Sequence, residues 1–97
     1  MNKFGEKVRS LREAQNILLR QVAAHLEVDT AFLSKLERGE KKASREQACK
    51  LAEFLSVPEQ ELLPLWLSDR LMEILNQDSY SEAAMKLTHR RIKNSTK

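Results

Sequence analysis

Apolar residues recur along this chain at the three-and-four spacing of α-helices, and nowhere in the strict alternation of a half-buried strand. Phe4, Val8 and Leu11, followed by Arg12 and Gln15, predict a first helix from about Lys3 to Gln15. Val22, Ala23 and Leu26 share one face of a second, from about Leu19 to Leu26. Asp29 is an N-cap residue type and Gly39 a stop, which bound a third helix over Thr30 to Arg38. Ser44-Arg-Glu-Gln47 has the form of a capping box and opens a fourth helix to about Leu55, with Ala48, Leu51, Ala52 and Leu55 inward. Pro58 opens a short fifth helix through Leu63. After Pro64 the pattern restarts in "LWLSDRLMEILNQ", is interrupted at "QDSYS", and resumes in "SEAAMKLTHRRIK". The expectation is all-α: a five-helix domain over residues 3–63, then a two-helix extension over 64–97.

Composition narrows the function. Ninety-seven residues suit one domain, and 41% hydrophobic with 32% charged residues suits a soluble globular one. The net charge of +3 is compatible with nucleic acid, but the distribution of that charge matters more than its total. A lone cysteine, Cys49, excludes an internal disulfide and a cysteine zinc cluster, and its place beside the inward stripe of the fourth helix fits a half-buried structural thiol. The first residues lack the apolar run of a signal peptide, and no stretch approaches the roughly 20 apolar residues of a membrane helix. A cytoplasmic protein without membrane attachment is expected. There is no glycine-rich phosphate loop, no His-Glu-x-x-His and no nucleophile elbow, so no catalytic residue is assigned and an enzyme is not expected. His25 and His89 have no partner at ligand spacing; neither a metal nor a cofactor is expected.

Residues 19–38 carry the chemistry. Two short helices joined by a tight turn form a helix-turn-helix if a small residue sits where they cross and apolar residues hold the second helix down. Ala23 is the small residue; Val28, Leu33 and Leu36 are the apolar ones. At 100° per residue, burying Leu33 and Leu36 turns Ala31, Ser34, Lys35 and Arg38 outward, with Thr30 at the edge. Small residues permit close approach to base edges, and a lysine reaches guanine or phosphate. Glu37 lies half inward and needs a cation; Arg12 of the first helix is the candidate for an ion pair with it. Between Lys35 and Lys50 there are six Lys or Arg against three Glu, and Lys41, Lys42 and Arg45 are placed to meet the phosphate backbone.

"LRE…VAAHLEVDTAFLSKLERGEKKAS…KLAEFLSVPEQELL" resembles the Cro and lambda-repressor-like (Xre) helix-turn-helix family over about Lys3 to Leu63. The resemblance rests on Arg12, Val22-Ala23, Leu33-Ser34-Lys35 and Glu37-Arg38-Gly39, with "LAEFLSV" behind them. It implies a five-helix fold and sequence-specific binding of double-stranded DNA, usually as a dimer, in transcription regulation. It also implies base contacts from Thr30, Ala31 and Lys35, and backbone contacts from Arg38 and the Lys41–Lys42 loop. The chain departs from the family in three places. Leu18-Leu19 stand where a Ser or Thr cap and a phosphate-binding Gln are usual, leaving Arg20 or Gln21 to substitute. Glu27 replaces the usual Gly of the turn, and Ala43 the usual Pro after the third helix.

The extension carries a stripe of Leu67, Leu71, Ile74 and Leu75 with Trp66 beside it, and a shorter one of Tyr80, Ala84 and Leu87. These either fold back on the domain or cover the same surface of a second copy; a homodimer built on them is the favoured expectation. Five Lys or Arg and no acid lie between Lys86 and Lys97, which fits a frayed, solvated tail or an added nonspecific grip on DNA. Other readings stay open. An antitoxin would share the DNA-binding core and use the extension to grip its toxin, a restriction–modification controller would share the core, and a DNA-free interaction module would share the fold.

Overall fold

The computed structural model describes residues 3–95. They form α1 (Lys3–Ala14), α2 (Leu19–Leu26), α3 (Thr30–Arg38), α4 (Arg45–Phe54), α5 (Glu59–Leu75) and α6 (Ser81–Ser95), with no strand among the described residues. The protein is all-α. Helix α1 packs on α3 and α5, α2 on α3 and α4, and α4 on α5, enclosing one core. At its centre Val8, Val22, Leu33, Leu51, Leu55 and Leu62 are each fully buried, so every helix from α1 to α5 contributes.

One device ends four of these helices. A left-handed residue follows the helix, and the next backbone N–H reaches back five positions, closing carbonyls the helix leaves open. Asn16, Glu27, Gly39 and Ser56 hold the left-handed position, with φ of 57°, 59°, 84° and 60°. The closing bonds run from Ile17 to the Arg12 carbonyl (3.0 Å), Val28 to Ala23 (3.0 Å), Glu40 to Lys35 (2.8 Å) and Val57 to Ala52 (3.0 Å). In three of the four cases the residue after the turn is apolar. Ile17, Val28 and Val57 pack against the core and hold their turns closed, although the residues before them carry a Cβ that the left-handed region disfavours.

The extension differs from expectation. The sequence predicts a short fifth helix ending at Leu63 and a fresh start after Pro64, but α5 runs unbroken through Pro64 to Leu75. Proline forfeits one bond, to the carbonyl of exposed Gln60, at a cost of about 3 kcal/mol. Leu62, Leu63 and Trp66 lie on one continuous face of that helix and are all buried. Burying an indole alone removes about 150–250 Å² from water, worth roughly 4–6 kcal/mol. Continuity is therefore favoured. Two further contacts fasten the second half of α5 to the domain: Trp66 Nε1 donates to the Ala43 carbonyl at 2.7 Å, and the Asp69 carboxylate accepts from the backbone N–H groups of Lys3 (3.1 Å) and Phe4 (2.9 Å), capping α1 from a distance.

Trp66 accordingly leaves the set expected at an interface between copies: it is a core residue, closed off by its own chain. Leu67 and Ile74 remain exposed on α5, while Leu71 and Leu75 are half-buried. Helix α6 buries none of its described residues and presents Leu87 and Ile92 to solvent, with Tyr80 exposed in the turn before it. Its helical backbone runs to Ser95; Thr96 and Lys97, the end of the basic tail, lie outside the described residues.

Candidate nucleic-acid interface

The site begins at Leu18, which takes the extended N-cap conformation of α2 without a side chain able to accept a bond. Gln21 compensates in part: its Oε1 accepts from the Leu18 N–H at 2.8 Å, leaving the amide NH2 as donor. Arg20 is exposed beside it. Buried Ala23 lies on the inner face of α2, the helix that packs on α3 and α4. Glu27 (φ 59°, ψ 42°) turns the chain, and Asp29 starts α3 by accepting from the Phe32 N–H at 2.7 Å.

Leu33, Leu36 and Glu37 face inward on α3. Glu37 is 5% exposed and receives two bonds from the Arg12 guanidinium, Nε to Oε2 at 2.8 Å and Nη2 to Oε1 at 3.1 Å. Arg12 Nη1 also donates to the Ile17 carbonyl at 3.0 Å. The hydrogen bond with Glu37 raises the Arg12 pKa above its ordinary value, burial opposing in part. A bidentate pair between α1 and α3 fixes the rotation of α3 about its own axis.

That rotation leaves Thr30, Ala31, Lys35 and Arg38 exposed on the far side of α3 and Ser34 half-covered. Ser34 is covered by Arg38, whose Nη1 donates to its Oγ at 2.7 Å while Nε (2.8 Å) and Nη2 (3.3 Å) hold Glu40. The hydrogen bond and charge of Arg38 hold the Glu40 carboxyl below its usual range. Arg38 and Glu40 flank Gly39, and Ser34 is one helical turn before Arg38, so the spacing for this cluster is present in the sequence. Beyond it Lys41, Lys42 and Arg45 are exposed. Ala43, standing between them, is buried, and Ser44 and Gln47 close the capping box of α4 through bonds of 3.1 and 3.0 Å.

A family model described as a helix-turn-helix domain matches residues 3–65. The chain belongs to that family, in its Xre-like form. The HTH-type transcriptional repressor RghR of Bacillus subtilis (strain 168) is 34% identical over 64 residues, 65% of this chain and 47% of the repressor, so the chain spans about half the length of that relative. Among solved structures, the clp gene regulator ClgR from Corynebacterium glutamicum is similar at a TM-score of 0.60 and 28% identity, over 70% of this chain and 88% of ClgR. A second ClgR structure matches 91% of this chain and 92% of its own at a TM-score of 0.62 and 24% identity, which extends the shared fold into the last helices.

In this helix-turn-helix the loop after α3 is governed by α5, a connection the sequence pattern does not disclose. Arg70 lies over the Trp66 ring at 5.0 Å and Arg45 at 6.0 Å. Lys42 Nζ meets Glu73 Oε2 at 2.7 Å. Between them is a cleft of about 340 Å³ whose charged lining is Arg38, Lys41, Lys42, Arg70, Asp69 and Glu73. The His25 ring stacks on Phe54 with centroids 4.5 Å apart, on α2 and α4. No three His, Cys, Asp or Glu among the described residues are grouped to hold a metal, and no described helix is long and apolar enough to cross a membrane.

Proposed function

We propose that this protein is a sequence-specific regulator of transcription that binds double-stranded DNA as a homodimer. The carrying observation is the orientation of α3: Leu33 and Leu36 are sunk in the core while Thr30, Ala31 and Lys35 stand bare on the opposite side. In this reading Thr30, Ala31, Ser34 and Lys35 read bases in the major groove. Arg20, Gln21, Arg38, Lys41, Lys42 and Arg45 meet the flanking phosphates and set the register. The likeness to RghR, a transcriptional repressor, and to ClgR, a gene regulator, supports a regulatory function. Two copies related by a two-fold axis present their third helices about one DNA turn apart, roughly 34 Å, to a palindromic operator, and obstruct or recruit polymerase there.

Exposed Leu67 and Ile74, with half-buried Leu71 and Leu75, support α5 as the meeting surface of the two copies. The exposed apolar side chains of α6 favour a second reading, in which the extension grips a different protein, as an antitoxin does its toxin.

Sequencing the genomic DNA recovered with the protein supplies the operator. On it, Lys35→Ala is expected to weaken binding or relax specificity by about 1–3 kcal/mol. Normal binding by Lys35→Ala alongside failure of Lys42→Ala refutes the base-reading assignment. Light scattering on Leu67→Glu/Ile74→Glu tests the dimer. An unchanged dimer puts the interface elsewhere.

A further inference from the structure

Glu73 is the one carboxylate lining the cleft below α3 whose position no structural need of the domain explains. Asp69, the other carboxylate there, spends both oxygens on the first backbone N–H groups of α1. Arg38 is held by Glu40 and Arg70 lies on the Trp66 ring. Glu73 projects from the last turns of α5, a helix with no residue on the reading face, and closes on Lys42 of the loop after α3. The side chains remain 71% and 51% exposed, so the pair has a high-dielectric setting and is easily exchanged.

We propose that Glu73 is an affinity-setting residue for duplex DNA, occupying Lys42 with an internal anion that a backbone phosphate must displace. The proposal rests on the reading of the loop after α3 as a phosphate contact. A phosphate oxygen makes the same charge-assisted bond to Lys42 that the carboxylate makes. Binding therefore exchanges one anion for another at this position, and the drive that remains is the release of counterions from DNA. Because the competition concerns a phosphate and not a base, it lowers affinity for all sequences alike and leaves their order of preference unchanged. The strength of the effect is bounded by what an exposed pair contributes, up to about a fivefold change in an equilibrium constant.

The test measures fluorescence anisotropy of the full chain with a short labelled duplex of random sequence, at several salt concentrations. Glu73→Gln, Lys42→Met and the double variant are compared with Glu82→Gln, which removes the same charge from exposed α6. Thermal melts confirm that each is folded. Glu73→Gln is expected to bind up to about fivefold tighter than Glu82→Gln at low salt. In the Lys42→Met background the same change is expected to have no effect beyond that of Glu82→Gln. If Lys42→Met weakens binding but Glu73→Gln matches Glu82→Gln, the competition is refuted and the DNA-facing loop stands. Tightening that persists without Lys42 also overturns it, since the effect is then one of bulk charge. If Lys42→Met binds as well as the parent, the loop does not face DNA and both readings fall.

Discussion

Replacing Arg12 by Met is the severest test of how α3 is held. The guanidinium makes two bonds to Glu37 and one to the Ile17 carbonyl, and its side chain is 14% exposed. Removing it leaves a carboxylate that is 5% exposed facing methylene groups, in place of a bidentate partner. Breaking a buried pair from one side costs about 3–5 kcal/mol, because desolvation of the stranded charge is no longer offset. Against a total stability of about 5–15 kcal/mol, that is a large share. For a domain of this size each kcal/mol moves the melting temperature by about 4–8 °C, so Arg12→Met is expected to melt at least ~12 °C below the parent. The double variant Arg12→Met/Glu37→Met removes both charges and is expected to recover most of the loss, though α1 still lacks the bond to Ile17. Denaturant unfolding of the four proteins in the cycle measures the coupling directly. A loss under about 1 kcal/mol for Arg12→Met, or a double variant whose loss equals the sum of the singles, refutes the view that a desolvated ion pair sets the angle of α3.

Three other outcomes follow from particular contacts. Glu27→Gly relieves a Cβ at φ 59° and is expected to raise stability by about 0.5–1 kcal/mol in the same unfolding assay, the extra freedom of glycine in the unfolded chain offsetting part of the gain. Asp69→Ala uncaps α1 and is expected to cost about 1 kcal/mol, with faster amide hydrogen exchange at Phe4 than at Val22 as its local mark. Burial first, and the neighbouring Glu59 second, push the Cys49 thiol above its usual pKa, so at neutral pH it stays protonated. Iodoacetamide is expected to alkylate it more slowly than free cysteine under native conditions and at the free rate in denaturant; equal rates in both would contradict this.

Much of this protein follows from local pattern. The limits of α3 are legible because Asp29 and Gly39 have short-range reasons to stand at its ends, and the start of α4 because Ser44 and Gln47 satisfy each other. The outward set on α3 follows from the 100° step once Leu33 and Leu36 are taken as buried, and Glu37 needs a cation for the same angular reason. What only the tertiary structure decided lies in α5. Pro64 is a local signal for a break, and locally that signal is correct; the burial of Leu62, Leu63 and Trp66 against α1 and α4 outweighs one missing hydrogen bond. Once the helix continues, Trp66 becomes core, Asp69 reaches the start of α1, and Glu73 reaches Lys42. None of these pairings is written in spacing, because each joins residues more than twenty positions apart. Helical periodicity states which face of a segment avoids water, but the partner that covers it is chosen by the packing of the whole chain.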